Sequence, residues 1–300
     1  MFDARHSFHP SLNHPCFSSE ANLNRGRVHL PVSPACNIQC RFCKRSFNKR
    51  ENRPGVSAKL LEPQDALDLV KRALEQCPEI TVAGIAGPGD TLATPHAIET
   101  FALIHQAYPT LINCLSTNGL LLERCASSLV RVGVKTLTVT VNAVDPVILH
   151  QICSHVILDG TVYTGVEGAA LLINAQQRGI QKAAALDFII KINIVLIPAI
   201  NGAHIAGIAR AVRDWGASII NIIPLIPQHE FAEYDTPDCD ALARAREEAE
   251  AYLPVFRHCQ HCRADAIGIP GKEDITSQIY GDRAFNRILI EETEETFSHG

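Results

Sequence analysis

"GRVHLPVSPACNIQCRFCKR", residues 26–45, runs a short β-rich stretch straight into Cys36, Cys40 and Cys43, spaced C-x3-C-x2-C. Three chemistries use such a loop: a zinc site short of a ligand, a disulfide fragment, or an iron–sulfur cluster with one open position. No fourth Cys or His follows at the close spacing of a structural zinc site. A 4Fe–4S cluster held by three thiolates keeps one iron able to bind a small molecule. The loop follows the first expected strand, at the C-terminal edge of a sheet, where α/β folds collect their chemistry. Phe42 sets an aromatic ring beside the last cysteine.

The rest of the chain narrows the choice. It has 300 residues, a formal charge of −5 and 11 cysteines, an odd number that suits a disulfide framework badly. No polybasic run marks nucleic acid as a partner. The longest apolar run, "FIIKINIVLIPAI" (188–200), is interrupted by Lys191 and Asn193 and closed by Pro198, so no membrane span is expected. The N-terminus lacks the apolar stretch of a signal peptide, which predicts a cytoplasmic protein with reduced thiols. Cys259 and Cys262 form a C-x2-C pair flanked by His258 and His261, a two-thiolate half-site for zinc or iron–sulfur. Cys16, Cys77, Cys114, Cys125, Cys153 and Cys239 stand alone, and an isolated thiol is by default a small buried hydrophobe.

Strands are expected at 27–32, 80–87, 111–117, 135–142, 187–197 and 218–225, mostly apolar on both faces. Helices are expected at 63–77, 94–107, 121–131, 164–178, 203–214 and 237–251; in the first, Ala66, Leu67, Val70, Ala73 and Leu74 share a face and Pro63 suits the first turn. Strict β/α alternation predicts a parallel sheet, either doubly wound or curled into a barrel. Residues 1–26 read as an irregular N-terminal extension, 27–230 as the β/α domain, and 231–300 as a C-terminal extension with a fraying acidic tail. Cys114 is placed at the end of the third strand, on the same rim as the cysteine loop.

C-x3-C-x2-C with an aromatic before its last cysteine, after the first strand of a β/α chain, resembles the radical S-adenosylmethionine (SAM) enzymes. That resemblance implies a partial (βα)6 TIM-like barrel whose open iron chelates the amino and carboxylate groups of SAM. Electron transfer would then cleave SAM to a 5′-deoxyadenosyl radical. Beyond the loop, "HPCFSSEA" (14–21), "ENRPGV" (51–56), "GIAGPGD" (84–90), "CLSTNGL" (114–120), "VNAVDP" (141–146) and "CQHCRADAIG" (259–268) occur in one order. Together they resemble the NifB family of nitrogenase-cofactor biosynthesis enzymes, in a core-only form without a C-terminal carrier domain. The family fuses two 4Fe–4S substrate clusters, called K1 and K2, into an eight-iron precursor with a carbide derived from a SAM methyl group, a lyase-type radical SAM reaction. The implied partners are a cluster donor, a cofactor acceptor or carrier, and a reductant such as a ferredoxin or flavodoxin.

The resemblance assigns Cys259 and Cys262 to one substrate cluster, with a nitrogen or thiolate ligand from the N-terminal extension; the histidine candidates are His14 and His9. It assigns Cys16 and Cys114 to the other. Gly87, Pro88 and Gly89 become candidates for the SAM amino group with Asp90 in support, and Ser116, Thr117, Asn118 and Asn142 for its carboxylate or ribose. Glu51 and Arg53 are candidates to order the cavity or meet a charged cluster, as are Arg263 and Asp265. Two stretches depart from the family pattern, "ANL" (21–23) and the segment around Cys153. Two alternatives stand beside this reading: a radical SAM maturase with an auxiliary cluster at Cys259 and Cys262, and a non-catalytic scaffold whose thiols bind zinc.

Overall fold

The computed structural model describes residues 10–280; His9 and the acidic tail lie outside them. After a 3-10 turn at Pro10–Asn13 come α1 (Ser19–Asn24), β1 (Gly26–His29), β2 (Ile38–Cys40), β3 (Ser46–Phe47) and β4 (Val56–Ser57). Then follow α2 (Pro63–Gln76), β5 (Ile80–Ile85), α3 (His96–Ala107), β6 (Ile112–Thr117), α4 (Leu122–Arg131) and β7 (Val134–Thr140). The next elements are α5 (Pro146–Ile152), β8 (Cys153–Leu158), β9 (Thr161–Thr164), α6 (Gly165–Ala184) and β10 (Ile189–Leu196). The described chain continues through α7 (Pro198–Asn201), α8 (Ile205–Asp214), β11 (Ile219–Pro224), α9 (Cys239–Glu250), β12 (Ile267–Ile269) and β13 (Glu273–Asp274).

Strands β1, β5, β6, β7, β10 and β11 pair in parallel and stand side by side in chain order. A doubly wound sheet would reverse that order at an internal switch point. Unbroken order sends every right-handed crossover to the same face, so the sheet curls with its helices outside. β11 ends the sheet on one side, while β12 and β13 extend it antiparallel beyond β1 on the other. The product is a partial TIM-like barrel. All six expected strands and their helices are present, with α6 running on to Ala184 rather than stopping at 178.

The strands are not apolar on both faces. In β10, Ile190, Ile192, Ile194 and Leu196 are buried under the helices, while Lys191, Asn193 and Val195 alternate with them and line an internal cavity. In β7 and just beyond it, Leu137, Val139 and Val141 point outward and Thr138, Thr140 and Asn142 inward. Each fully buried Ile or Leu contributes about 1.5–3 kcal/mol, so the outer faces hold the barrel and leave its interior free for polar groups. On α2, Leu69 joins Ala66, Val70 and Ala73 in the core, and Leu67 and Leu74 are only partly buried.

Some elements lie outside the β/α rhythm. β2 is made by the cysteine loop itself and pairs antiparallel with β8, and β8 with β9. β8 and β9 are joined by Asp159 and Gly160, both at positive φ, as a two-residue hairpin turn requires. The rhythm does stop near residue 230, yet β12 returns to the barrel against β1. The described part of the N-terminal extension packs on the barrel: Ser18 caps α1 by accepting from the Ala21 amide (3.2 Å), and buried Phe17 packs with Val82 and Cys114.

Candidate active site

A cavity of about 370 Å³ runs down the barrel from the C-terminal strand ends towards the N-terminal extension. The cysteine loop forms its rim. The Gly89 and Asp90 amides donate to the Ser33 and Ala35 carbonyls, each at 2.8 Å, laying the GPGD loop against the first half of the cysteine loop. A Cβ on Gly89 would stand 2.1 Å from the Ala35 carbonyl oxygen. Glycine is therefore needed there for loop-to-loop contact. The Gln39 side-chain amide donates to the Cys40 and Cys43 carbonyls (2.9 and 3.1 Å), and Arg53 donates to the Lys44 carbonyl (2.5 Å). These bonds turn the backbone so that Cys36, Cys40 and Cys43 all face the cavity.

Burial, reinforced by the Asp90 carboxylate, pushes the Cys36 thiol up to about 12. The Cys40 thiol is raised by burial and then by its neighbours Cys153, Cys43 and Cys36; burial also raises Cys43, against the pull of Arg45 and Arg53. Buried thiols packed so closely stay protonated unless a metal supplies positive charge. Among the described residues no three Cys, His, Asp or Glu side chains converge as ligands of one ion. The rim thiols are arrayed round the cavity instead, and an iron–sulfur cluster, which gives each cysteine its own iron, uses that spread.

The floor gathers thiols from distant parts of the chain. Cys16, Cys114, Cys259 and Cys262 line the same cavity. Burial pushes Cys16 up to about 12; Cys262 and Cys114 reinforce the rise, and Lys191 and Arg27 oppose it. Cys114 lies within β6, deeper than the rim position expected for it. Lys191 Nζ donates to the Cys16 carbonyl (3.0 Å), and Arg27 Nη2 contacts the Cys262 sulfur (3.2 Å).

Of the four histidines that line the cavity, His14 and His29 differ in tautomer. The Cys16 amide donates to His14 Nδ1 (3.0 Å), so the neutral ring carries its proton on Nε2, which is buried without a partner. A nitrogen so protonated offers no lone pair to iron. His29 Nδ1 faces the Arg263 carbonyl at 3.0 Å, which can only accept, so His29 carries its proton there and keeps the Nε2 lone pair. Burial and then the Arg27 charge lower His29 to about 4, so the ring is neutral at physiological pH. Gly84, its partner across β1 and β5, leaves room for it: a Cβ there would meet the imidazole at 3.0 Å.

The polar residues at the strand ends brace the rim. Asp90 accepts from Thr117 Oγ1 (2.9 Å) and from the Asn118 and Leu92 amides (2.6 and 2.9 Å), and burial still raises its carboxyl above the ordinary range. Asn118 Nδ2 donates to Asn37 Oδ1 (2.6 Å) inside the cysteine loop, and Asn142 Oδ1 accepts from the Val195 amide (2.9 Å). Phe42, Pro88, Gly89, Ser116, Thr117, Asn118 and Asn142 all line the cavity. Gly87 sits just behind the lining at φ 128°.

Glu51 does not line the cavity. It accepts from Arg53 (2.5 Å) and Asn48 (2.8 Å), and Arg53 in turn reaches Ser46 Oγ (3.1 Å). In this geometry the pair splints the segment after the cysteine loop. Arg263 clamps the same segment from the C-terminal side: it donates to the Glu51 and Asn48 carbonyls (2.5 and 2.7 Å) and pairs with buried Asp265 (2.8 Å). Asp265 also accepts from the Ala58 amide (2.6 Å).

Of the cysteines without a motif, Cys77 is buried at the end of α2, Cys125 half-buried and Cys239 exposed. Cys153 lies opposite Cys40 in the β2–β8 ladder and reaches the cavity wall. His29, Arg27, Lys191 and Asn193 also line the cavity and were not singled out as site residues from sequence. Their common signal is a polar residue at every second position of an otherwise apolar strand.

A family model described as the radical SAM superfamily matches residues 30–212. The FeMo cofactor biosynthesis protein NifB of Methanocaldococcus infernus is 48% identical over 272 residues, covering 90% of each chain. That of Methanocaldococcus jannaschii is 46% identical over 293 residues, covering 97% of each. That of Klebsiella pneumoniae is 43% identical over 268 residues, covering 87% of this chain and 57% of the relative. Among solved structures, that of HydG, a maturase of the FeFe-hydrogenase, matches with a TM-score of 0.51 at 13% identity over 78% of this chain and 52% of the other, a likeness of fold.

Proposed function

The chain belongs to the radical SAM superfamily and, within it, to the NifB family, and on that footing we propose that it builds an iron–sulfur precursor of the nitrogenase cofactor. The substrates are two 4Fe–4S clusters and a SAM-derived methyl carbon, and the product is an eight-iron, carbide-containing cluster. One observation carries this reading. A single cavity brings three loop thiols within reach of four more from the N-terminal extension, β6 and the C-terminal motif.

Cys36, Cys40 and Cys43 hold the resident cluster in this proposal. Together with SAM it supplies, when bound, the one-electron cleavage chemistry of the reaction. Carbonyls of Gly87, Pro88 and Gly89 receive the SAM amino group, with Ser116, Thr117, Asn118 and Asn142 near its carboxylate and ribose; Asp90 and Arg53 keep this rim in shape. Cys16 and Cys114 hold one substrate cluster, and Cys259 and Cys262 the other. For the nitrogen ligand we favour His29 over His14, because only His29 has its proton on the far side of the ring. In this proposal the enzyme is cytoplasmic and is served by a cluster donor, a small electron carrier and a cofactor acceptor; among the described residues no helix is long and apolar enough to cross a membrane.

Anaerobic reconstitution with iron and sulfide tests the proposal. The parent chain is expected to bind iron for three clusters and to cleave SAM under reductant. Cys16→Ala and Cys114→Ala should each remove one cluster's share of iron and leave SAM cleavage in place. If neither lowers the iron content, the assignment of that pair is wrong. Iron for only two clusters in the parent would point instead to a maturase with one auxiliary site.

A further inference from the structure

The cavity wall has the opposite sign to the molecule around it. The chain carries a formal charge of −5, yet among the described residues the cavity is lined by Arg27, Lys44, Arg45, Arg53 and Lys191 with Asp90 as the one carboxylate. Asp90 is committed to Thr117 and two backbone amides, and Arg53 is paired with Glu51.

Arg27 and Lys191 are the deep members of this set, each only 5% exposed. They come from β1 and β10, separated in the sheet by β5, β6 and β7, so they reach the floor from different walls. Arg27 donates to the Gly268 carbonyl (2.6 Å) and contacts the Cys262 sulfur (3.2 Å), while its Nε is buried without a partner. Lys191 donates to the Cys16 carbonyl (3.0 Å) and sits 4.8 Å from the centre of the Phe17 ring and 5.4 Å from that of Phe256. Carbonyls, a sulfur and ring faces orient a cation but do not neutralise it. Burying a cation is costly when no anion accompanies it. Two such cations beside the floor cysteines leave the site electrostatically incomplete until an anion enters.

We propose that Arg27 and Lys191 are the charge-recognition residues for the cargo. They admit anionic, thiolate-ligated iron–sulfur clusters, Lys191 at the Cys16–Cys114 pair and Arg27 at the Cys259–Cys262 pair. This rests on the reading that the floor thiols receive substrate clusters. It adds why a cluster seats at each pair: its negative charge is answered by a fixed cation, Arg27 as a directional N–H donor to the Cys262 sulfur and Lys191 as a point charge behind the Cys16 backbone. Hydrogen bonds to sulfur and local net charge also set a cluster's reduction potential, so both residues tune the cargo they hold.

The test uses the full chain with its loop cluster in place and a water-soluble, glutathione-ligated 4Fe–4S cluster as the donor probe. Lys191→Gln keeps an N–H donor near the Cys16 carbonyl and removes the charge, whereas Lys191→Arg keeps the charge; Arg27→Gln and Arg27→Lys are the matching pair. Cluster uptake should slow about tenfold or more in each Gln variant, the effect of a single lost charge–charge contact. The residual floor cluster should titrate at a lower potential, and both the Arg and Lys variants should restore uptake. The EPR response of the loop cluster to SAM should not change. Parental uptake and potentials in both Gln variants would overturn the proposal. So would equal losses in Lys191→Gln and Lys191→Arg with a lowered melting temperature, which would show packing alone. A parent chain that takes up no cluster beyond the loop would overturn the substrate-cluster reading itself, and this inference with it.

Discussion

The rim and the floor of the cavity both present cysteines to the same space, but they are held there differently. The rim thiols sit on one loop and are turned inward by short-range bonds, such as Gln39 to the Cys40 and Cys43 carbonyls and Arg53 to the Lys44 carbonyl. The floor thiols come from the N-terminal extension, the middle of β6 and the segment before β12, and contacts across the barrel place them: Lys191 to Cys16 and Arg27 to Cys262. The rim is thus a local structure fastened to the barrel, while the floor exists only when the segments around Cys16 and Cys259–Cys262 dock on it. On the proposed function, that division separates a locally built resident site from a substrate site assembled across the barrel.

The largest expected effect separates the two regions outright. Cys40→Ser removes a proposed rim ligand and should abolish SAM cleavage, since the chemistry belongs to the bound cofactor. Floor iron should persist at the parental level, because the contacts that hold Cys16, Cys114 and Cys262 do not involve the rim loop. Iron analysis and Mössbauer spectra after anaerobic reconstitution check both halves. Collapse of all bound iron in this variant would show that rim and floor assemble as one unit.

The same division explains what was legible in the sequence. The rim reads at once because its ligands fall within one short loop, and the barrel reads because strands and helices alternate. Cys16 and Cys114 look like ordinary buried thiols alone; only their place within matched motifs singled them out, and β6 pairing with β5 and β7 sets how deep Cys114 lies. Lys191 and Asn193 were visible as breaks in an apolar run, but their meaning needed the period of two that turns them inward while Ile190, Ile192 and Ile194 turn outward. The β8–β9 hairpin had a local signal, Asp159–Gly160, hidden in a stretch judged against the family pattern. The choice between His14 and His29 was not legible, because it depends on which backbone group faces each Nδ1.

The C-terminal segment docks through one buried ion pair. Arg263 and Asp265 pair with side chains 12% and 0% exposed, and Arg263 also holds the Glu51 and Asn48 carbonyls. Arg263→Met strands the Asp265 carboxylate in the interior, which costs about 3–5 kcal/mol where a buried pair is broken on one side. Denaturant unfolding of the iron-free chain reads the loss. Iron at Cys259 and Cys262 should fall with it, while the loop cluster still forms. A loss below about 1 kcal/mol would mean that the pair is not what fastens the C-terminal motif to the segment after the rim.

The smallest change probes how local the rim is. Gly89→Ala places a methyl group 2.1 Å from the Ala35 carbonyl oxygen and 2.9 Å from that of Ser33, both backbone atoms that cannot rotate away. The two loops must separate, stretching the Gly89 and Asp90 amide bonds to Ser33 and Ala35. Overpacking of this kind costs about 1–3 kcal/mol. The GPGD loop also carries the proposed acceptors of the SAM amino group, so SAM binding should weaken before the loop cluster is lost. Equilibrium dialysis with labelled SAM, set beside iron content, distinguishes the two. If iron falls and SAM affinity per cluster holds, the GPGD loop serves to shape the cysteine loop rather than to hold SAM. Floor occupancy should stay constant either way, because nothing in the Gly89 contact reaches Cys16, Cys114 or Cys262.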